Sequence, residues 1–475
     1  LNKPRISLLR AVALFGIAAI LIWQVTTRSV AAYLARAEPE TALRLRSTEP
    51  AALLNLADAK LASGQSGQPA SQPRQETVEP AGAPFTTVDQ AGDRLRLWAE
   101  LAAKTAREIP GKAADPEPKA QSEAAGPDDD TRMRVRAWVD LALSGDPLNA
   151  RAVTMLGELS YVAGDETAAG RFFQVSARRS LRERVAIYWL MLKSYQERDY
   201  AAAIRHADIL LRTRLDVSQD VMPLLVQMAE NKDASGELKK ILLDNPPWRS
   251  RLLSAVAQGS TDPRTTLDLL LAMRGARTPP TAEDLHNYVR VMVARKQYEL
   301  AYYAWLEHLP PAHLTSTGLL FNGGFELSPS GVPFDWTIGQ GVGVTIDIVD
   351  DPERDGRRAL LIEFGYGLVE FPAVQQLTML APGTYHFKVR QKGELIGKRG
   401  LVWRIACTDA PNILIGESAM AVGAIPKWKD IDFEFTVPAA DCRTQLVRLQ
   451  LDARMPSEQL VTGSIWYDDV RILVR

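Results

Sequence analysis

The chain is poor in the residues that carry most enzyme chemistry. Its 475 residues include two cysteines and five histidines. The histidines, His206, His286, His308, His313 and His386, are scattered, and no two have the spacing that puts metal ligands on one helix face. There is no Gly-x-Ser-x-Gly elbow, no Gly-x-x-x-x-Gly-Lys-Ser/Thr phosphate loop and no His-Glu-x-x-His pair. Gly339, Gly341 and Gly343 alternate, but no helix pattern follows them, which argues against a dinucleotide turn. Formal net charge is −1, so the total does not point to nucleic acid as a partner. Nothing singles out a pair of glycosidase carboxylates. A binding or assembly protein is expected, with no catalytic residues and no required cofactor.

Long apolar runs are also scarce, with one exception. Residues 11–27 carry no charge, and their apolar heart reads AVALFGIAAILIW. As a helix they span roughly 26 Å, near the lower limit for crossing a bilayer. Lys3, Arg5 and Arg10 precede the run and Trp23 closes it, an arrangement that keeps the N-terminus cytoplasmic. Residues 1–37 thus read as a single-pass anchor in a bacterial inner membrane, with the body in the periplasm. A cleaved signal peptide is the competing reading, because Ser29-Val30-Ala31 and Ala35-Arg36-Ala37 are small-x-small sites. The helical pattern running on through Val30-Ala31-Ala32-Tyr33-Leu34 favours the anchor.

Residues 38–309 are patterned for helices. Two stretches at about 65–87 and 110–130 are rich in Gln, Ser, Pro, Gly and charge, and read as flexible insertions. Between them a helix is expected at 88–108, carrying Leu95, Leu97, Trp98 and Leu101. Asp128, Asp129 and Asp130 read as a solvated helix start. Further on, Gly164-Asp165-Glu166-Thr167-Ala168-Ala169 and Arg198-Asp199-Tyr200-Ala201-Ala202-Ala203 stand 34 residues apart, and Tyr161 and Tyr195 keep that offset. With Leu156-Gly157, Ala169 and Phe173 as small and large packing positions, the region resembles the tetratricopeptide repeats. The second copy departs, with Met191 in place of the glycine and Ala207 in place of the aromatic. Gln297-Tyr298-Glu299-Leu300-Ala301 looks like another repeat turn, out of phase. The resemblance implies an irregular α-solenoid offering a face to protein partners. The alternative is a spacer between membrane and last domain.

Residues 310–318 form a short connector, after which the hydrophobic period changes from 3.6 to 2. Strands are expected at 344–349, 359–364, 374–379, 384–391, 401–407, 413–417, 429–436, 446–452 and 465–474. Many short alternating strands with Gly/Pro turns imply an antiparallel sandwich over 319–475. Alternation puts Trp466, Asp468, Val470, Ile472 and Val474 on one core-facing side, which would bury the Asp468 carboxylate. Trp403 shares a face with Ile405 and Cys407 and reads as core. Cys407 and Cys442 both fall in this module, and an exported domain whose two cysteines share one module is expected to join them in a disulfide, closing a loop of about 35 residues. Two buried thiols are the alternative.

Asn322-Gly323-Gly324-Phe325-Glu326, Trp336, Ala381-Pro382-Gly383-Thr384-Tyr385, Trp428 and Trp466-Tyr467-Asp468-Asp469-Val470 together resemble the jelly-roll carbohydrate-binding modules of the galactose-binding-like fold. The resemblance implies a structural calcium held by Glu326 with Asp468 or Asp469. Hydrogen bonding of these carboxylates to backbone amides or Arg is the alternative. It also implies a glycan ligand on aromatic platforms, for which Trp336, Tyr366 and Trp428 are candidates; Tyr366 lies between two glycines that leave its ring accessible. The expected whole is a membrane-anchored scaffold with a carbohydrate-binding-like module, in the setting of cell-surface polysaccharide assembly or export. A structural subunit making protein contacts only, or a degenerate glycan-active enzyme, are the other readings.

Overall fold

The computed structural model describes residues 3–65, 129–213, 218–314, 317–351, 353, 357–409 and 413–475. The helix expected at 88–108, Asp128 and nearly all of the two flexible stretches lie outside them. Among the described residues the chain forms fifteen α-helices followed by two antiparallel sheets of five strands each. It divides into two compact units. One comprises Leu1–Leu238 and Pro246–Trp248, the other Lys239–Asn245 and Arg249–Arg475.

In the first unit α1 (Lys3–Ala37) is one unbroken helix, and its Leu14–Ala37 portion is long and apolar enough to cross a membrane. Leu14, Phe15, Ile20, Ile22 and Trp23 stand exposed on it. Its far end is packed: Ala35 meets Ala42 of α2 (Pro39–Leu45) and Ala52 of α3 (Pro50–Gln65), and Asn55 Nδ2 donates to Ala35 O at 2.7 Å. In α4 (Asp129–Gly145) the acidic residues occupy the first turn, as the positive end of a helix dipole favours. They pair with Arg132 and Arg134 three and four residues on.

The next four helices are α5 (Ala150–Val162), α6 (Glu166–Arg179), α7 (Arg184–Gln196) and α8 (Tyr200–Thr213). The two turns with 34-residue spacing share one geometry. Gly164 and Arg198 both have positive φ, and Asp165 and Asp199 then cap the following helix through the amides of Ala168 and Ala202. A Cβ on Gly157 would lie 2.6 Å from the Phe173 ring, so the glycine admits the aromatic. In the next pair Met191 and Ala207 are both fully buried, with the large and small partners exchanged. Two more helices follow, α9 (Ser218–Glu230) and α10 (Lys232–Leu243).

The second unit holds α11 (Arg249–Gly259), α12 (Arg264–Ala272), α13 (Ala282–Ala294), α14 (Tyr298–His308) and α15 (Pro311–Leu314), followed by the strands. α13 opens with a capping box between Thr281 and Asp284. Trp305 of α14 packs edge-on against Phe321 at 5.2 Å and tilted against Phe334 at 5.7 Å, joining the last helical pair to the sandwich.

The strands are β1 (Thr337–Ile338), β2 (Val344–Asp350), β3 (Arg358–Phe364), β4 (Val374–Thr378), β5 (Gly383–Gly397), β6 (Leu401–Cys407), β7 (Leu414–Glu417), β8 (Gly423–Val437), β9 (Gln445–Leu451) and β10 (Val461–Val474). All nine expected strands are present, and the two-residue β1 is additional. One sheet runs β1-β4-β9-β6-β7, the other β2-β3-β10-β5-β8. The inner faces meet in one core that includes Trp336, Trp403, Phe387, Ile405, Leu449 and Tyr467. Cys407 and Cys442 are disulfide-bonded, as expected.

Two expectations change. Strands β5 and β8 run several residues further than their alternation suggested, because their shared ladder passes through an irregularity between Gln391 and Gly393 and continues beyond it, and β10 begins earlier than expected, at Val461. In β10 the irregularity lies between Asp468 and Arg471, where Asp469 has φ 52°. Such a bulge inserts one residue and reverses which side chains face inward. Ile465 and Tyr467 are therefore buried before it and Val470 and Ile472 after it, so Trp466 faces away from the core. Asp468 is fully buried at the bulge itself.

Candidate ligand-binding face

The outward face of sheet β2-β3-β10-β5-β8 is built by period-two alternation. On β5, Val389 and Gln391 are buried, so Lys388, Arg390 and Lys392 point out. On β10, Trp466 stands opposite Lys392 of β5 and Leu361 of β3. Trp428 of β8 comes up on the other side of the same lysine. Lys392 Nζ lies 5.5 Å from the centroid of Trp428 and 6.0 Å from that of Trp466, and the Arg390 guanidinium lies 5.4 Å from Trp428. Both indoles are half-buried. The face therefore presents two aromatic rings flanking an ammonium, held by cation–π attraction.

Charged groups surround this centre. Lys392 Nζ is 2.9 Å from Glu353 Oε1. Arg390 reaches Asp430 at 3.4 Å and Asp469 at 3.7 Å. Further along the β5–β8 ladder His386 Nδ1 hydrogen-bonds Asp432 at 3.1 Å and Lys388 approaches the same carboxylate at 3.5 Å. Those contacts, the histidine's first, hold the Asp432 carboxyl below the usual carboxylate range.

The expected platform residues separate. Trp428 is on this face. Trp336 is fully buried between Phe325, at 5.3 Å, and Trp403, at 5.9 Å, with its Nε1 donating to Asn322 O at 2.9 Å. An enclosed ring cannot serve as a platform, and Trp336 is core. Tyr366 is 98 % exposed, but it sits in the turn beyond the end of β3, away from the sheet. Exposed Val342, Leu368, Ile396 and Leu460 flank that end of the strands. Trp466 and Lys392 were missed: the bulge that turns Trp466 outward depends on a backbone conformation that side-chain alternation does not report.

The opening motif closes the sandwich. Val470 N donates to Gly323 O at 2.9 Å, and the Asn322 side chain bridges both backbone groups of Leu327. A Cβ on Gly324 would lie 3.7 Å from Glu326 Cγ and 3.8 Å from Asp468 Oδ1, so the Glu326 stem passes near the buried Asp468 carboxylate, whose Oδ1 accepts from Asp469 N at 2.6 Å. Asp469 does not join them. Its carboxylate is 2.7 Å from Arg471, 3.7 Å from Arg390 and 4.0 Å from Arg357. A carboxylate committed to guanidinium groups does not fit a calcium site, and among the described residues no three acidic, histidine or cysteine side chains cluster as metal ligands.

A cleft of about 360 Å³ lies where the last helices meet the sandwich, lined by Tyr302, Trp305, Phe321, Phe334, Gln376 and Thr378 among others. Gln376 is not available to a ligand there, because its amide both donates to and accepts from the Phe321 backbone.

No family pattern and no curated protein matches this chain. Solved structures that it resembles include a CBM4 module (16 % identity over 33 % of this chain and 99 % of that one, TM-score 0.24). Another is TmCBM61 in complex with β-1,4-galactotriose (17 % identity, 34 % and 100 %, TM-score 0.23). A third is the CBM22-1–GH10 portion of Clostridium thermocellum xylanase 10B complexed with xylohexaose (15 % identity, 32 % and 28 %, TM-score 0.23).

Proposed function

We propose that this protein is a membrane-anchored scaffold of the bacterial envelope whose terminal sandwich binds a glycan on the outward face of sheet β2-β3-β10-β5-β8. The observation that carries the glycan part is the pair of half-buried indoles, Trp428 and Trp466, flanking Lys392 on an open sheet face. Flat apolar rings set among hydrogen-bonding groups suit a pyranose, whose C–H face stacks while its hydroxyls find polar partners. In this reading α1 anchors the chain in the inner membrane, with the N-terminus cytoplasmic and the body periplasmic. Lys3, Arg5 and Arg10 ahead of the apolar run support that orientation, and the disulfide suits an oxidising compartment. The helical pairs with 34-residue spacing would receive protein partners, as stacked repeats do. Cell-surface polysaccharide assembly or export is the setting, and no catalytic step is included.

The test is binding of the detergent-solubilised full chain to a panel of polysaccharides by affinity electrophoresis. Trp428→Ala and Trp466→Ala should each weaken retardation at least tenfold; unchanged retardation in both would overturn the glycan reading. A structural calcium remains part of the proposal in reduced form, with Glu326 and Asp468 as its side-chain ligands. A chelator should then lower the melting temperature, and indifference to it removes the metal.

The exposed apolar end around Tyr366, Leu368, Ile396 and Leu460 favours one second reading, in which the sandwich makes protein contacts as a subunit of a larger complex. Crosslinking in membranes from that end decides it: a captured protein supports the reading, and none removes it.

A further inference from the structure

The outward face carries a charge pattern that a neutral glycan would not use. Lys392 is 13 % exposed, wedged between two indoles, while its ion-pair partner Glu353 is 60 % exposed. The cation is thus fixed and largely desolvated, and the carboxylate upon it is at the surface. Beside it, three guanidinium groups, those of Arg357, Arg390 and Arg471, converge on the single carboxylate of Asp469, with exposed Asp430 reaching only Arg390. Within this cluster four cations, Lys392, Arg357, Arg390 and Arg471, share the three carboxylates of Glu353, Asp469 and Asp430, while exposed Asp347 and Glu363 stand on the strands beyond Trp466.

Resting on the glycan reading above, we propose that the ligand is a carboxylated polysaccharide of the uronate type, with its carboxylate taking the place of Glu353 on Lys392. A sugar ring stacked on Trp428 or Trp466 brings a ring-borne carboxylate within reach of that ammonium. Arg390, already over Trp428, supplies a planar fork to the same or the next sugar. Glu353 then acts as an internal stand-in for the ligand. It keeps the half-buried ammonium paired in the unliganded protein and is displaced outward into water, where its own solvation offsets the lost contact. A sugar with hydroxyls only would leave Lys392 paired to Glu353 and gain nothing from it.

The experiment measures affinity of the full chain in detergent for polygalacturonate, for the same polymer fully methyl-esterified, and for dextran sulfate. The proposal expects polygalacturonate to bind at least tenfold more tightly than its ester. Lys392→Gln should remove most of that preference, weakening polygalacturonate at least tenfold more than it weakens the ester. Glu353→Gln should raise affinity for polygalacturonate several-fold, a gain that misfolding does not produce. Trp428→Ala should weaken both polymers. Equal binding of acid and ester, with Trp428→Ala still weakening both, keeps the glycan reading and overturns the uronate. Binding of dextran sulfate as tight as polygalacturonate and insensitive to Trp428→Ala is bulk ion exchange and overturns both. No binding to any polymer also overturns the uronate proposal.

Discussion

Gly323 and Gly324 are neighbours in the motif that closes the sandwich, yet they should respond very differently to one added methyl group. A Cβ on Gly323 would stand 1.9 Å from Val470 O, whereas on Gly324 the nearest atoms are 3.7 and 3.8 Å away. Non-bonded heavy atoms rest at about 3.5–4.0 Å, so Gly323→Ala must part the first segment from β10 by more than ~1 Å. Parting them strains or breaks the hydrogen bond from Val470 N to Gly323 O, now 2.9 Å. Overpacking costs about 1–3 kcal/mol and a lost hydrogen bond about 1 kcal/mol more, so the expected loss is about 3 kcal/mol. For a unit of this size that lowers the melting temperature by roughly 6–12 °C. Gly324→Ala should stay within about 0.5 kcal/mol of the parent. Thermal melts of the full chain followed by tryptophan fluorescence report the event, since Trp336 is tied to Asn322 O beside the altered residue. Equal midpoints for the two variants, or a larger loss at Gly324, would refute the reasoning.

The exchanged sizes in the two helical pairs predict coupling. Phe173→Ala alone should cost about 3–5 kcal/mol and Gly157→Met alone about 1–3, whereas the double variant should recover at least ~1 kcal/mol of their sum; additive losses by hydrogen exchange over 150–179 would count against a common repeat packing. Removing the disulfide with Cys407→Ser and Cys442→Ser frees a loop of 35 residues and should destabilise by about 3–4 kcal/mol in denaturant titrations; an unmoved midpoint contradicts it. The hydrogen bonds from Arg443 hold the Asp409 carboxyl below its ordinary 3.8. Their contribution is thus fully present above that value and is lost as pH falls through the lowered one. Asp409→Asn should flatten stability against pH in that acidic window only, and a change confined to neutral pH would refute the assignment.

Much of the architecture is legible because it follows from local rules. The change of hydrophobic period after residue 319 marks the sandwich, since side chains on a strand alternate wherever one face is buried. Trp403 reads as core from its neighbours Ile405 and Cys407 alone. Gly157 and Phe173 read as a packing pair from their residue sizes and the repeat spacing. Trp336 and Trp466 do not yield to this reasoning. Trp336 follows a turn, where no alternation assigns a face, and it is the packing of Phe325 and Trp403 about it that encloses its ring. Trp466 sits before a bulge, and one inserted residue at Asp469 is enough to invert its side.

By itself the sequence determined the change from helices to strands near residue 319, the apolar N-terminal helix and the single cysteine pair open to a disulfide. These depend on neighbours a few residues away, or on there being only one possible partner. Only the tertiary structure decided which aromatic rings face water, that Asp469 belongs to arginines, and that Lys392 stands between Trp428 and Trp466. Those residues come from three strands far apart in the chain, and their meeting depends on strand register and one bulge, which no local pattern carries.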